Sequence, residues 1–207
     1  DSTIAIQAEP SAWLYHERGN AYNELGQYQL AIDDWTMAIQ LDYYAPASAY
    51  TSRGTAYYEL GQTQLAIDDY DKAIQIAPSA VRHEDRGDAY NRLGQYQNAI
   101  NDYTMAIQLE PSALRHHSRA FNYAELGQYQ NSISDNTTAI QLAPWAVSYY
   151  NRGRDYANLG QYQNAINDYT MAIQLEPSTV DHDTYYKRGD SYLELGQHQL
   201  AILDFEK

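Results

Sequence analysis

The chain has 207 residues, a formal charge of -14, no cysteine and a negative mean hydropathy. An acidic chain lacks the basic stripe that nucleic acid and anionic lipid require. Without cysteine there are no disulfides or thiolate ligands and no mark of the redox compartment, and no apolar run reaches membrane-spanning length.

The chain opens on Asp1-Ser2-Thr3, without an initiator methionine or an apolar signal core, and reads as processed or as a fragment. Thr3-Ile4-Ala5-Ile6-Gln7 has the pattern of a helix already under way, so residues 1–11 read as the end of a partial unit. From Ala12 onward, Tyr15, Gly19, Tyr22 and Leu25 recur at three- and four-residue steps, the spacing of one helical face. Gly26 then supplies a turn that other residues resist. Ala31, Ile32, Trp35, Ala38 and Ile39 mark a second apolar stripe between Tyr28 and Leu41. The Leu-Gly-Gln signature returns at Leu60, Leu93, Leu126, Leu159 and Leu195, and Gly61, Gly94, Gly127 and Gly160 lie 33 residues apart. Pro10, Pro78, Pro111, Pro144 and Pro177 close most units, since proline cannot continue the preceding helix. A fixed period of this length means stacked supersecondary units sharing one core. The expected units are 12–46, 47–79, 80–112, 113–145, 146–181 and an incomplete 182–207, each a pair of antiparallel helices. Gly94–Ser112 is identical to Gly160–Ser178, two units further on.

Tyr15-x-x-Arg18-Gly19-x-x-Tyr22, followed by Ala31-x-x-x-Trp35 and Ala38, resembles the tetratricopeptide repeat. The same frame reads Tyr50, Gly54, Tyr57, Ala66, Tyr70 and Ala73, and later Tyr149, Gly153, Tyr156, Ala165, Tyr169 and Ala172, so the resemblance covers essentially the whole chain. It implies an all-α, right-handed superhelical solenoid of antiparallel helix hairpins that binds other proteins. It also implies an inner groove lined by first-helix residues. In the first two units these are His16, Asn20, Asn23, Thr51 and Tyr58. Further on they are Glu84, Asp88, Asn91 and His117, then Tyr150, Arg154, Tyr186 and Asp190. This lining lacks the lysine and asparagine pattern with which some members clamp a peptide's C-terminal carboxylate. Asn20 alone resembles part of that clamp, while Thr55 and Asp88 stand where further clamp residues belong. A basic or tyrosine-rich polypeptide suits the charge better.

Two departures from the family pattern are regular. The residue before the first glycine position is usually leucine in the family, and here it is Arg18, Arg53, Arg86, Arg119, Arg152 and Arg188. An aspartate precedes the second-helix aromatic position at Asp34, Asp69, Asp102, Asp135, Asp168 and Asp204, and Asp1 holds the same place in the partial unit. The expectation is a structural ion-pair ladder, each arginine meeting an aspartate of its own unit or the one before. The functional alternative is an arginine row that captures acidic peptides. The third departure is confined to the fourth unit. Ala120 replaces glycine, Asn122 and Ser132 replace small apolar residues, and Asn136 replaces the aromatic found as Trp35, Tyr70, Tyr103, Tyr169 and Phe205. Asn136-Thr137-Thr138 is also an Asn-x-Thr acceptor, which makes Asn136 a candidate glycosylation site if it is exposed.

Catalytic patterns are poor. None of His16, His83, His116, His117, His182 and His198 belongs to a His-Glu-x-x-His site, and His83 and His116 take places that Tyr15 and Tyr50 hold elsewhere, so they are expected to pack between helices. The Leu-Gly turns are not phosphate loops, and no segment arranges a nucleophile with a base. The reading is therefore not an enzyme, with no cofactor and no metal. Of 22 tyrosines, 17 fall at repeating aromatic places, which leaves Tyr43, Tyr44, Tyr58, Tyr150 and Tyr186, with Trp13 and Trp145, as the interface candidates.

Repeat arrays that stay monomeric normally finish in a polar capping helix. This chain begins and stops inside second helices, and Ile4, Ile6, Leu200, Leu203 and Phe205 would expose unit faces. The expectation is a non-catalytic interaction scaffold stacking end to end with copies of itself into a filament. The alternative is an adaptor that binds a peptide or helix of another protein in the groove. The partner is protein in both readings, with no nucleic acid and no membrane insertion.

Overall fold

A computed structural model describes residues 11–42, 46–176 and 182–207. Among these residues there are twelve helices and no strand. They are α1 (Ala12–Glu24), α2 (Tyr28–Leu41), α3 (Ala47–Glu59), α4 (Thr63–Ile76), α5 (Ala80–Arg92), α6 (Tyr96–Leu109), α7 (Ala113–Glu125), α8 (Tyr129–Leu142), α9 (Ala146–Asn158), α10 (Tyr162–Leu175), α11 (His182–Glu194) and α12 (His198–Phe205). No helix among the described residues is long and apolar enough to cross a membrane.

Local chemistry accounts for the helix ends. Ser11, Ser79 and Ser112 cap α1, α5 and α7, each hydroxyl accepting from the backbone N–H three residues on. The α1–α2 turn needs its glycine. Gly26 has φ +70°, its N–H donates to the Asn23 carbonyl and the Gln27 N–H to the Tyr22 carbonyl, which satisfies the last open carbonyls of α1. Helix α2 then starts at once, and the short connection folds it back on α1.

Contacts divide the chain into two compact units, residues 1–110 and 111–207. In the first, α1–α2, α3–α4 and α5–α6 are hairpins, and the second helix of one packs on the first helix of the next, α2 on α3 and α4 on α5. Ala31, Ile32 and Trp35 close on Ala56 at the first of these seams, and Ala66, Ile67 and Tyr70 close on Ala89 at the second. Burying each isoleucine is worth roughly 1.5–3 kcal/mol, a gain that a lone hairpin with this face in water would forgo. In the second unit α7–α8, α9–α10 and α11–α12 are hairpins, with α8 on α9 and α10 on α11. Inside most hairpins the aromatic of the second helix lies on a glycine of the first. A Cβ at Gly19 would come within 2.8 Å of the Trp35 ring, one at Gly153 within 3.0 Å of Tyr169, and one at Gly189 within 2.5 Å of Phe205.

Candidate functional site

The arginine before each small residue points along its own hairpin. Nε and Nη2 of Arg18 both donate to Asp34 at 2.6 Å. The same two-pronged contact joins Arg53 to Asp69, Arg119 to Asp135 and Arg152 to Asp168 at 2.7 Å. It joins Arg86 to Asp102 at 2.6–2.8 Å and Arg188 to Asp204 at 2.6–2.7 Å. The third nitrogen, Nη1, reaches back one hairpin. It donates to Thr36 from Arg53, Asp71 from Arg86, Thr137 from Arg152 and Thr170 from Arg188, at 2.5–3.0 Å. The carboxylates are buried and the guanidiniums mostly so, flanked by tyrosine rings such as Tyr15 and Tyr22 beside Arg18. Bonds to the aspartate are the largest influence on Arg18, Arg86, Arg119, Arg152 and Arg188 and raise their pKa above the ordinary value. For Arg53 burial is the largest single influence and acts downward, but Asp69, Tyr57 and Tyr50 together outweigh it and raise the pKa. His83 and His116 join this row, Nδ1 of each lying 2.9 Å from Oδ1 of Asp102 or Asp135. From the sequence both are expected to pack between helices, and the fold adds this carboxylate contact. Its signal was their spacing, one turn before Arg86 and Arg119.

The residue after Gly19, Gly54 and Gly87 meets the aromatic of the second helix. Trp35 Nε1 donates to Asn20 Oδ1 at 3.3 Å, the Tyr70 hydroxyl to Thr55 at 3.2 Å, and the Tyr103 hydroxyl to Asp88. In the first unit Asn20, Asn23, Thr51 and Thr55 surround an open depression of about 360 Å³ beside Trp35. His16 lies 3.4 Å from Asn20, and Arg82 donates to Thr51. The Tyr58 ring is covered by Arg92 at 4.6 Å. Helix α5 concentrates charge through Glu84, Asp85 and Asp88, with Asn91 half-buried on the same helix. Burial first, then Asp88 and Glu84, pushes Asp85 up to about 6. Burial also raises Asp88, against the pull of the Tyr103 hydroxyl. Asp85 was not among the groove residues expected from the sequence, because burial along a helix side is invisible to spacing.

In the second unit, Arg154 and Asp190 line a depression of about 520 Å³ with Tyr169, Lys187 and Glu194. The Tyr150 hydroxyl donates to Asp183, and its ring lies 5.9 Å from that of Tyr169. Tyr186 packs its exposed ring 5.6 Å from Phe205. His117 sits 3.4 Å from Ser148 Oγ, and burial lowers its pKa. Leu200, Leu203 and Phe205 are 43%, 50% and 44% exposed, and Leu200 and Leu203 line a depression of about 530 Å³. Trp13 and Trp145 are exposed. Ile4 and Ile6, together with Asp1, Tyr43 and Tyr44, lie outside the described residues. Among the described residues no group of histidine and carboxylate side chains could hold a metal ion.

Asn136 corrects the glycosylation expectation. It is 1% exposed, and its Nδ2 points at Ser132 Oγ, 3.4 Å away, inside hairpin α7–α8. A glycan needs an exposed acceptor, so the folded chain offers none there. Beside it lies a residue the sequence reading missed. Asp155 is 0% exposed and accepts a 2.5 Å hydrogen bond from Ser132. Its signal was that it stands where Ala56 and Ala89 stand in earlier units.

Family models described as tetratricopeptide repeat match residues 12–42, 47–79 and 146–179, and a second such model matches 84–112 and 182–207. A comparison with curated protein sequences finds no match. Among solved structures the chain is similar to YrrB, described as a TPR protein with an unusual peptide-binding site (20% identity, 100% of this chain and 98% of that one, TM-score 0.77). It is also similar to MamA (20% identity, 82% and 96%, TM-score 0.76). A third is the C-terminal part of a TPR repeat-containing protein from Cytophaga hutchinsonii (18% identity, 98% and 85%, TM-score 0.83). At these identities the common property is the fold.

Proposed function

We propose, since this chain belongs to the tetratricopeptide-repeat family, that it is a non-catalytic scaffold whose first-helix face binds a basic, tyrosine-tolerant segment of another protein. The fold itself is that of a protein-interaction scaffold. The observation that carries the finer reading is the half-buried row Glu84, Asp85 and Asp88 on α5, with raised carboxyls at Asp85 and Asp88. Carboxyls disfavoured as anions by burial and by one another gain most from a lysine or arginine brought against them. YrrB, which has a peptide-binding site, supports a peptide as the form of the ligand. The arginine row is read as structural, since each fork already holds a buried carboxylate. The test is calorimetric titration of lysine- and arginine-rich peptides against acidic peptides of equal length. Basic peptides should bind, more weakly as salt rises, and should lose most of their affinity to Glu84→Gln/Asp85→Asn/Asp88→Asn. Equal binding of both peptide classes, or an unaffected triple variant, would refute the reading.

A second reading, end-to-end stacking of copies into a filament, is favoured by the exposure of Leu200, Leu203 and Phe205 on α12. Light scattering across concentration with electron microscopy tests it. Fibres that vanish in Leu203→Glu would support it, and a monodisperse monomer at high concentration would end it.

A further inference from the structure

The seam between α8 and α9 is built from the positions that form α2–α3 and α4–α5, with different chemistry. Ala31 meets Ala56 in the first unit's first seam and Ala66 meets Ala89 in its second. At the same two places the second unit has Ser132 and Asp155. Asp155 Oδ2 accepts from Ser132 Oγ, and Ser132 Oγ lies 3.4 Å from Asn136 Nδ2. Asp155 Oδ1 is buried without a hydrogen-bond partner, while the Asn136 side chain also meets His117 of α7. The carboxyl therefore has one acceptor unfilled, and a proton on Asp155 would turn that oxygen into a donor.

Among the described residues no cation forms an ion pair with this carboxyl. Helix α8 supplies Asp135, held by Arg119 and His116, and α10 supplies Asp168, held by Arg152. Helix α7 supplies His117, whose ring nitrogen lies beside Ser148. From α11 come Asp183, which accepts from Tyr150, Arg188, bound to Asp204, and Lys187 and Asp190, which line the depression beside Tyr169. Arg154, on α9 itself, acts on Asp155 through its field and makes no ion pair with it. A buried carboxylate without a counter-charge is costly, whereas the neutral acid is not.

We propose that Asp155 is a proton-operated latch: protonated, it closes hairpin α9–α10 on hairpin α7–α8, and its ionisation weakens that seam. Burial is the largest influence on this carboxyl and pushes it from 3.8 up to about 6, against the smaller pulls of Ser132 and Arg154. For an acid whose folded pKa is raised, the folded form holds the extra proton. The stabilisation is complete below the unfolded value near 4 and is lost as pH rises through about 6. Between pH 8 and pH 5 these two constants give about a tenfold tightening of the seam.

The test uses the full chain. Amide hydrogen-exchange protection in α8 and α9, corrected for intrinsic rates, is compared at pH 8 and pH 5, and the Asp155 carboxyl carbon is titrated by NMR. A midpoint near 6 and roughly tenfold higher protection at pH 5 are expected. In Asp155→Asn, neutral at every pH, that rise should vanish. Ser132→Ala/Asp155→Ala restores the alanine pair of the first unit's two seams and should also be flat, so a poorly folding asparagine variant does not spoil the test. An Asp155 midpoint near 4, or the same rise in either variant, would overturn the proposal.

Discussion

Hairpin α9–α10 places the Tyr169 ring on Gly153, while hairpin α7–α8 has Asn136 and Ala120 at the same two places. The difference shows that the glycine and the ring form one feature. A ring so close to the first helix leaves no space for a Cβ, and once the ring is gone the glycine is only a cost in backbone entropy. Hairpin α7–α8 then takes polar residues together, since Ser132, Asn136 and Asp155 on the adjoining α9 are each buried and linked by hydrogen bonds. A lone polar substitution would leave a buried group without partners, so drift in this hairpin carries its neighbours with it.

The comparison can be broken first at the ring. Tyr169→Ala should cost about 3–5 kcal/mol in denaturant unfolding, whereas Asn136→Ala should cost about 1 kcal/mol, because it removes a small polar side chain and no packed ring. Equal losses would mean that the polar hairpin is as tightly packed as the aromatic one. Next comes the ladder that both hairpins share. Arg152→Ala leaves Asp168 buried alone and should cost about 3 kcal/mol. Arg152→Lys should recover only part of this, since an ammonium cannot make the two-pronged contact.

A smaller effect tests the pairing of glycine with ring. Gly153→Ala puts a Cβ 3.0 Å from the Tyr169 ring and should cost about 1–3 kcal/mol by overpacking. Asn136→Tyr should be poorly tolerated beside Ala120, and adding Ala120→Gly should rescue it. Additive midpoints for that pair would show that the two positions are independent. The smallest effect is electrostatic. Asp85 has its pKa raised to about 6, so it favours folding below the unfolded value of 3.8 and loses that contribution as pH rises through about 6. Being partly in contact with water, it should contribute under about 1 kcal/mol. Comparing unfolding midpoints of Asp85→Asn and the native chain at pH 5 and pH 8 measures it.

The sequence by itself determined the repeat, the helix pairs and the turns. These depend on local chain geometry: a 3.6-residue apolar period, a glycine able to adopt positive φ, and proline or serine at the boundaries. It also displayed the regular arginines and aspartates, and it pointed to the fourth hairpin as different. It left open whether an arginine meets the aspartate of its own unit or of the one before. Tertiary structure decided that Nε and Nη2 hold the aspartate of the same hairpin, while Nη1 of Arg53, Arg86, Arg152 and Arg188 crosses to the previous one. It likewise brought His83 to Asp102, buried Asn136 away from any glycan, and set Asp155 against Ser132. These contacts join residues 15 to 23 positions apart on facing helices. Their partners are chosen by how two helix surfaces interlock, and neither helix's own periodicity encodes that alignment.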